Sequence, residues 1–153
     1  MYLDYLYGAY GSNLNFDQMS YRCPDAEPVG HFMLEGWKLV FRSVADIQIH
    51  KNGKVPIGLW RITKDCEKAL DIYEGFPTLY TKSKIWIPAL ESHFETSKVM
   101  IYTMADQTLR HPPSNRYLES IASGYDDFGL EHDFIKYAVK ESYIDDNKQH
   151  YLR

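Results

Sequence analysis

The stretch YGAYGSNL, residues 7–14, joins the first predicted strand to the first predicted helix. Gly11 permits a tight turn there because it has no Cβ atom. Asn15 is a good helix N-cap, so residues 16–22 are predicted to form a short helix, and Gln18 could hydrogen-bond back to the cap. The sequence therefore predicts a strand that turns directly into a helix.

This turn could also bind an anion. Ser12 and Asn13 lead into a helix N-terminus, where free backbone N–H groups and the helix dipole favour negative charge. A carboxylate or a developing oxyanion would suit such a place. The alternative interpretation is an ordinary strand-to-helix turn whose polar atoms satisfy one another.

Several short apolar runs predict a sheet around this first strand. The predicted strands cover residues 3–10, 29–34, 38–42, 46–50, 55–62, 80–87 and 98–104. Between two of them stands Asn52-Gly53, the strongest short signal for a β-hairpin. Six or seven strands are enough to close a small barrel or to form a strongly curled sheet.

Three further helices are predicted. Thr63 can cap one of them and Gly75 can end it. Its apolar stripe has helical spacing and consists of Cys66, Ala69, Leu70 and Tyr73. Ser114 opens the next helix, with Gly124 as its stop, and the last runs over about 131–143. Because strands come early and helices late, without regular βαβ alternation, the fold class is predicted to be α+β.

Length and composition limit the classes of function. A chain of 153 residues favours one domain, residues 1–153. Its 17 Lys and Arg against 21 Asp and Glu argue against a nucleic-acid binder that neutralises many phosphates. No apolar stretch approaches the ~20 residues of a membrane helix, and residues 1–5 carry no basic signal-peptide region. We therefore expect a soluble cytoplasmic protein with neither nucleic acid nor membrane as a partner.

Cysteine and histidine give no indication of a metal centre. Cys23 and Cys66 lack the spacing of a zinc motif, and none of the six histidines stands four residues from another. The 13 tyrosines combine apolar bulk with a hydroxyl group that needs a partner. Such a composition suits a small core built around a polar pocket.

Glu74 is the second candidate for chemistry. It ends the predicted helix beside Gly75, where the dipole disfavours negative charge. That field, with partial burial beside Tyr73, Phe76 and Tyr80, should raise the carboxyl pKa toward a value useful for proton transfer. The alternative is a solvated glutamate. No Ser–His–Asp or Cys–His arrangement has comparable local support.

Taken together, these motifs resemble one enzyme family. Residues 7–14 resemble the Y-x-A-Y-G-S-N-L opening of the gamma-glutamylcyclotransferase (AIG2-like) family, and LDIYEG at 70–75 is similar to its helix-ending L-D-x-x-E-G. Gly58-Leu59-Trp60 fits the strand before that helix. The family's C-terminal part is similar to a further set of residues in this chain, which are Tyr102-Thr103-Met104, PPSNRY at 112–117, Ile121 and Gly124. The resemblance covers nearly the whole chain, in order.

The resemblance implies a compact mixed β-barrel flanked by helices, without a metal or an organic cofactor. It implies catalysis by a single glutamate, Glu74. The implied substrate-binding residues are Tyr7, Gly8, Ala9, Tyr10, Gly11, Ser12, Asn13, Leu14, Tyr80 and Tyr102. Gly8 departs from the family, in which an aromatic residue is common at that position. A homodimer is left open.

The implied reaction cyclises a gamma-glutamyl group to 5-oxoproline and releases the attached amine or amino acid. Glu74 would act as the general acid and base. Two alternatives remain open at this point. The same chemistry could act on another gamma-glutamyl amide, such as a gamma-glutamylamine or an acylated natural product. The chain could also be a non-catalytic module that binds or sequesters a small molecule.

An acidic segment could influence the choice of leaving group. Residues 126–146 carry seven acidic side chains against Lys136 and Lys140. If the helices that contain them border the pocket mouth, cationic or neutral leaving groups should be favoured over anionic ones. The alternative is a solvated acidic face that points away from the pocket.

Overall fold

A mixed sheet forms the centre of the structure, a computed structural model that describes the backbone of residues 1–94 and 96–151 and the side chains of residues 1–90, 93–94 and 96–143. Within this part of the chain the strands are β1 (Tyr2–Ala9), β2 (Glu27–Arg42), β3 (Val44–Thr63), β4 (Tyr80–Trp86) and β5 (Lys98–Met104). Their order across the sheet is β2-β3-β1-β5-β4. The central β1 pairs antiparallel with β3 and parallel with β5.

Helices surround this sheet, which confirms the predicted α+β class. They are α1 (Phe16–Arg22), α2 (Lys64–Glu74), α3 (Glu91–Phe94), α4 (Asn115–Phe128) and α5 (Asp133–Tyr151), with short 3-10 turns at Ser12–Leu14 and Pro88–Leu90. Buried side chains of the sheet and helices form a continuous hydrophobic cluster. No helix in the described residues is long and apolar enough to cross a membrane.

The predicted barrel is wrong, because the sheet stays open with β2 and β4 at its edges. The predicted six or seven strands exceed the five of the described sheet for a physical reason. Residues 29–34 and 38–42 belong to one strand of 16 residues, and 46–50 and 55–62 to one of 20. Long strands that bend at irregularities look in sequence like two short strands each.

The predicted hairpin at Asn52-Gly53 is also wrong. Glu35 pairs with Lys54 and Trp37 with Ile49, so residues 50–53 form a bulge within β3. The chain reverses instead at Ser43, whose φ is 67°, between Arg42 and Val44. The Ser43 N–H donates to the carbonyl of His111 at 2.9 Å, which fixes the turn from outside the sheet.

The capping signals in the sequence are confirmed. The side chains of Asn15, Thr63 and Ser114 accept hydrogen bonds from the backbone N–H groups of the residues three positions later. Gly75 ends α2 in the left-handed conformation with φ 66°. Gln18 does not reach back to its cap, because its side chain contacts Ser120 and Arg22 instead.

Gly124 does not end its helix, contrary to the prediction. The helix α4 continues to Phe128 and stops at Gly129, with φ 70°. Gly124 is instead the place where α4 crosses the turn after β1. A Cβ atom there would lie 2.6 Å from the Cβ of Leu14 and 2.7 Å from the backbone nitrogen of Asn15.

We therefore expect Gly124→Ala to destabilise the protein, although alanine is the better helix former by about 1 kcal/mol. The added methyl group must push α4 away from the turn, at a cost of roughly 1–3 kcal/mol in the free energy of unfolding. Urea denaturation would measure it. Ser123→Ala, at the exposed neighbouring position, is the control and should be neutral or stabilising. A Gly124→Ala variant as stable as the wild type would contradict the close packing.

Candidate active site

A cavity of about 210 Å³ opens where β1 runs into the turn before α1. It lies between the end of β1, the start of β3, the C-terminal end of α2, the strands β4 and β5, and the first turn of α4. The residues that line it are Tyr7, Gly8, Tyr10, Gly11, Ser12, Asn13, Val44, Ala45, Tyr73, Glu74, Leu79, Tyr80, Tyr102 and Tyr117. The structure thus brings Glu74 and the turn, which are 60 residues apart in sequence, to one place.

Most of the predicted site residues line this cavity, but Ala9 and Leu14 do not. Both are buried in the hydrophobic core, and Leu14 has no exposed surface. Leu14 packs against Gly58 and Gly124, where a Cβ atom would come within 2.6 Å of its side chain. These two residues shape the turn from behind and are not placed to touch a ligand.

The two glycines of the motif serve close packing. Gly11 has φ −120°, so the tight turn does not depend on a left-handed conformation. A Cβ atom at Gly11 would lie 3.0 Å from the Cβ of Ala45 and 3.2 Å from the hydroxyl of Tyr117. A Cβ atom at Gly8 would lie 2.8 Å from Val99 in the core. Gly8 therefore leaves room on the core side of β1, and Gly11 on the cavity side.

Glu74 is the last residue of α2 and is half-buried at the cavity wall. Burial raises the pKa of its carboxyl group from 4.5 to about 7, and the positive charge of Arg22 partly opposes this. Because of the raised pKa, both protonation states are accessible near neutral pH. The carboxyl group could therefore accept a proton and return it in one reaction cycle.

Asn13 positions this carboxyl group. Its Nδ2 donates to Oε1 of Glu74 at 3.2 Å and to the Tyr7 hydroxyl at 2.9 Å. Its Oδ1 accepts from Nη1 of Arg22 at 2.7 Å, and its backbone carbonyl from Nε1 of Trp60 at 3.0 Å. Since the amide oxygen is held by Arg22, the amide nitrogen must face Glu74.

Sequence reasoning did not identify Arg22 as part of this arrangement. The guanidinium group also donates to Gln18, one helical turn earlier, and lies 3.6 Å from the ring centre of Tyr73. The spacing of Gln18 and Arg22 could have suggested a pair on α1. Nothing local in the sequence indicates that Arg22 reaches the turn before its own helix.

Several cavity tyrosines use their hydroxyl protons within the protein. Tyr10 donates to the carbonyl of Tyr102 at 2.7 Å, and Tyr80 to the carbonyl of Ala45 at 2.7 Å. Tyr102 donates to Asp71 at 2.6 Å. The implied roles of Tyr80 and Tyr102 in substrate binding are therefore limited to contacts with their rings or to acceptance by their oxygens.

Tyr7 and Tyr117 differ, because their hydroxyl oxygens accept hydrogen bonds from N–H groups. Tyr7 accepts from Asn13, and Tyr117 accepts from the Ala45 N–H at 2.9 Å. Burial raises the pKa of both phenols, so each remains a protonated donor at neutral pH. Both can donate into the cavity. Tyr117 belongs to the PPSNRY motif but is not among the predicted site residues, because nothing in the local sequence indicates that α4 approaches the end of β1.

The acidic side chains that the structure describes in residues 126–143 do not line the cavity, and Asp145 and Asp146 lie outside the described side chains. The helix α4 reaches it through Tyr117, and Asp126 lies nine residues further on, about 14 Å along the helix axis. Asp126 lies 2.7 Å from His132, Asp127 accepts from the Phe16 N–H, and Glu141 pairs with Lys38. The observed arrangement corresponds to the alternative of an acidic face that points away.

The described residues contain no group of three or more His, Cys, Asp and Glu side chains that could hold a metal ion. Charge in the cavity wall is supplied by Glu74, and neutral donors by the hydroxyl groups of Tyr7 and Tyr117, since the amide of Asn13 already donates to Tyr7 and Glu74. Burial is the main cause of the raised pKa of four tyrosines, and the charge of Glu74 adds to it in each: Tyr7, Tyr10, Tyr80 and Tyr117. The arrangement is suited to proton transfer on a small polar ligand.

Three structural comparisons show where this fold occurs. The chain is similar to a protein named gamma-glutamyl cyclotransferase (TM-score 0.70, 24% identity, 89% of this chain and 85% of that one). It is also similar to the human uncharacterized protein loc79017 (TM-score 0.73, 24% identity, 88% of this chain and 85% of that one). A third match is YkqA from Bacillus subtilis (TM-score 0.71, 20% identity, 91% of this chain and 54% of that one). At these identities the matches show the fold alone.

Sequence comparisons give the family. A search of curated proteins finds no match. The family model described as "Gamma-glutamyl cyclotransferase, AIG2-like" matches residues 7–124, from the first tyrosine of the turn motif to the glycine at which α4 crosses it. This match spans more than half of the chain and includes every residue that lines the cavity. The chain therefore belongs to the gamma-glutamyl cyclotransferase, AIG2-like family.

Proposed function

We propose that this protein cyclises the gamma-glutamyl group of a small amide to 5-oxoproline and releases the attached amine, with Glu74 as the general acid and base. The observation that carries the proposal is the position of Glu74. A carboxyl group whose pKa burial raises to about 7 lies in the wall of a small cavity, opposite the turn of the family motif. The family and its named structural relative support the same reaction.

The substrate carries its own nucleophile. The α-amino nitrogen attacks the γ-carbonyl carbon, a five-membered ring forms, and the bond from that carbon to the leaving nitrogen breaks. Holding the amine against the carbonyl supplies most of the required lowering of the activation barrier, since proximity is worth ~7–11 kcal/mol in ideal cases. A cavity of about 210 Å³ is small enough to keep the glutamyl chain folded.

Protons balance within the substrate. The α-ammonium group loses two protons on the way to the lactam, and the leaving nitrogen gains two to become an ammonium group. Glu74 takes the first proton, which frees the nucleophile, and returns it to the leaving nitrogen. The oxygen Oε1 accepts from Asn13, so we assign the transfer to Oε2.

Neutral donors stabilise the negative charge that develops on the γ-carbonyl oxygen. The candidates are the hydroxyl groups of Tyr7 and Tyr117 and the backbone N–H group of Gly11, whereas the Ser12 N–H is directed at the Tyr117 oxygen. The α-carboxylate of the substrate would take whichever of these donors the oxyanion does not use.

A non-catalytic binding module is the second candidate. A site that only binds the α-ammonium group would benefit from a permanently charged carboxylate. Burial of Glu74 instead favours its protonated form, which weakens such binding and suits proton transfer. The raised pKa therefore favours the enzyme.

We expect Glu74→Gln to reduce 5-oxoproline release by ~10²-fold or more, because the amide keeps the shape but cannot take a proton. Release from a panel of gamma-glutamyl compounds would measure it. Glu119→Gln is the matched control, since Glu119 is exposed on α4. Near wild-type turnover in Glu74→Gln would reject the mechanism. A wild-type protein that binds these compounds without any release would favour the binding module.

The pH dependence should follow the titration of Glu74. We expect kcat/KM to rise with pH through about 7, since only the carboxylate accepts the proton. The charge of Arg22 lowers this pKa, so Arg22→Met should move the inflection to higher pH. Lys136→Met removes an exposed charge from α5 and should leave the inflection in place. An unchanged inflection in Arg22→Met would show that Arg22 does not tune Glu74.

Substitutions of Gly11 should impair substrate binding in proportion to their size. Gly11→Ala asks Ala45 and Tyr117 to move by a few tenths of an ångström, whereas Gly11→Val fills the cavity beside them. We expect a small rise in KM for alanine and a rise of roughly tenfold or more for valine, in a protein that still folds. Circular dichroism would check the fold. Equal KM values for all three proteins would exclude the turn from the binding site.

A further inference from the structure

The opening of the cavity is lined by exposed apolar side chains. Of the lining residues, Tyr73 is 45% exposed and Leu79 is 52% exposed, and Val44, the first residue of β3, is half-buried. We call these three residues the rim. The residues deeper in the cavity, such as Tyr7, Asn13 and Tyr102, are all buried.

The rim residues are held in place although they face solvent. The Leu79 N–H donates to the Gly75 carbonyl at 2.8 Å, and the Leu79 carbonyl accepts from Ala105 at 3.0 Å. The Tyr73 hydroxyl lies 3.2 Å from Oγ of Ser12, and its ring is covered on one face by Arg22. A fixed, exposed apolar surface at a cavity mouth loses little conformational entropy on binding.

The size of the cavity places the leaving group on this surface. Ligand pockets usually measure about 300–1,000 Å³, and this cavity measures about 210 Å³. If the glutamyl group occupies the buried part beside Glu74, the group attached to its γ-carbonyl must extend outward, over Tyr73 and Leu79.

Charged side chains near the rim already have partners. The guanidinium group of Arg22 donates to Asn13 and Gln18. The ammonium group of Lys82 pairs with Glu67 at 2.6 Å and Asp71 at 2.9 Å. Among the described lining residues the charged side chain is Glu74, which the reaction uses. A charged leaving group would lose water at the rim without gaining a partner.

We propose that the rim selects gamma-glutamyl amides whose leaving group is an uncharged, apolar amine, which packs on Tyr73 and Leu79. This inference rests on the proposed function and names the substrate class for it. The preference is set by contact with the rim and not by the charge at the far end of α4, since Asp126 lies about 14 Å along the helix axis from Tyr117, beyond the ~8 Å range of charge at physiological salt.

Three substrates of equal chain length test the proposal: gamma-glutamylpentylamide, gamma-glutamylputrescine and gamma-glutamyl-4-aminobutyrate. Their leaving groups end in a methyl, an ammonium and a carboxylate group. We expect kcat/KM for the pentylamide to exceed both others by about fourfold or more, since its terminal methyl group stands where the others carry a charge, and one buried carbon of this kind contributes ~0.8 kcal/mol, or about fourfold. The difference should lie in KM, because rim contacts are the same in the ground and transition states. It should not depend on salt.

Substitutions in the rim test whether Leu79 causes the preference for the pentylamide. Leu79→Glu should reduce the preference for the pentylamide to about twofold or less, and Leu79→Ala should reduce it in part. Leu109→Glu is the control, because Leu109 is equally exposed, at 56%, and does not line the cavity. Affinities of the three compounds for Glu74→Gln, measured by calorimetry, should follow the same order without turnover.

The outcomes separate the two proposals. Equal kcat/KM values for the three substrates, or a preference for a charged one, would overturn the rim proposal and leave the reaction standing. The same holds if Leu109→Glu changes the preference as much as Leu79→Glu does. If the wild type releases no 5-oxoproline from any of the three substrates, the proposed function is overturned. If, in addition, none of the three compounds binds to the Glu74→Gln variant, the rim proposal is overturned as well.

Discussion

The side-chain amide of Asn13 joins three elements of the structure through hydrogen bonds. Its oxygen is held by Arg22 on α1, and its nitrogen donates to Tyr7 on β1 and to Glu74 on α2. Because an amide has one acceptor end and one donor end, the contact with Arg22 decides which end faces the carboxyl group. The turn after β1 therefore aligns the end of α2, although the two are distant in sequence. A site that depends on Glu74 depends on this alignment.

Sequence signals that act within a few residues were sufficient to predict much of this site. The caps at Asn15, Thr63 and Ser114 and the stop at Gly75 are local, and Glu74 owes its position beside the cavity to that stop. The strand-to-helix turn is local as well. At these helix ends the sequence-based prediction and the structure agree.

The errors concern interactions between distant residues. Asn52-Gly53 has the composition of a hairpin turn, but the pairing of Trp37 with Ile49 places it in a bulge. Gly124 has the appearance of a helix stop, but it is a glycine because Leu14 packs against it. Tertiary packing, which a single sequence does not display, also decides three other features. It decides that the sheet stays open, that Arg22 contacts Asn13, and that Tyr117 lies at the cavity.

The raised pKa of Glu74 also affects the folding equilibrium of the whole protein. A carboxyl group with a pKa of 4.5 in the unfolded chain and about 7 in the native state holds its proton more tightly when folded. Its contribution to stability is complete below pH 4.5 and is lost as the pH rises through 7. The difference is on the order of 3 kcal/mol, a large fraction of the 5–15 kcal/mol typical of a domain. At neutral pH the ionised carboxylate, which is the base of the proposed reaction, is thus the form that the fold tolerates least, so the proposal couples turnover and unfolding to the same proton.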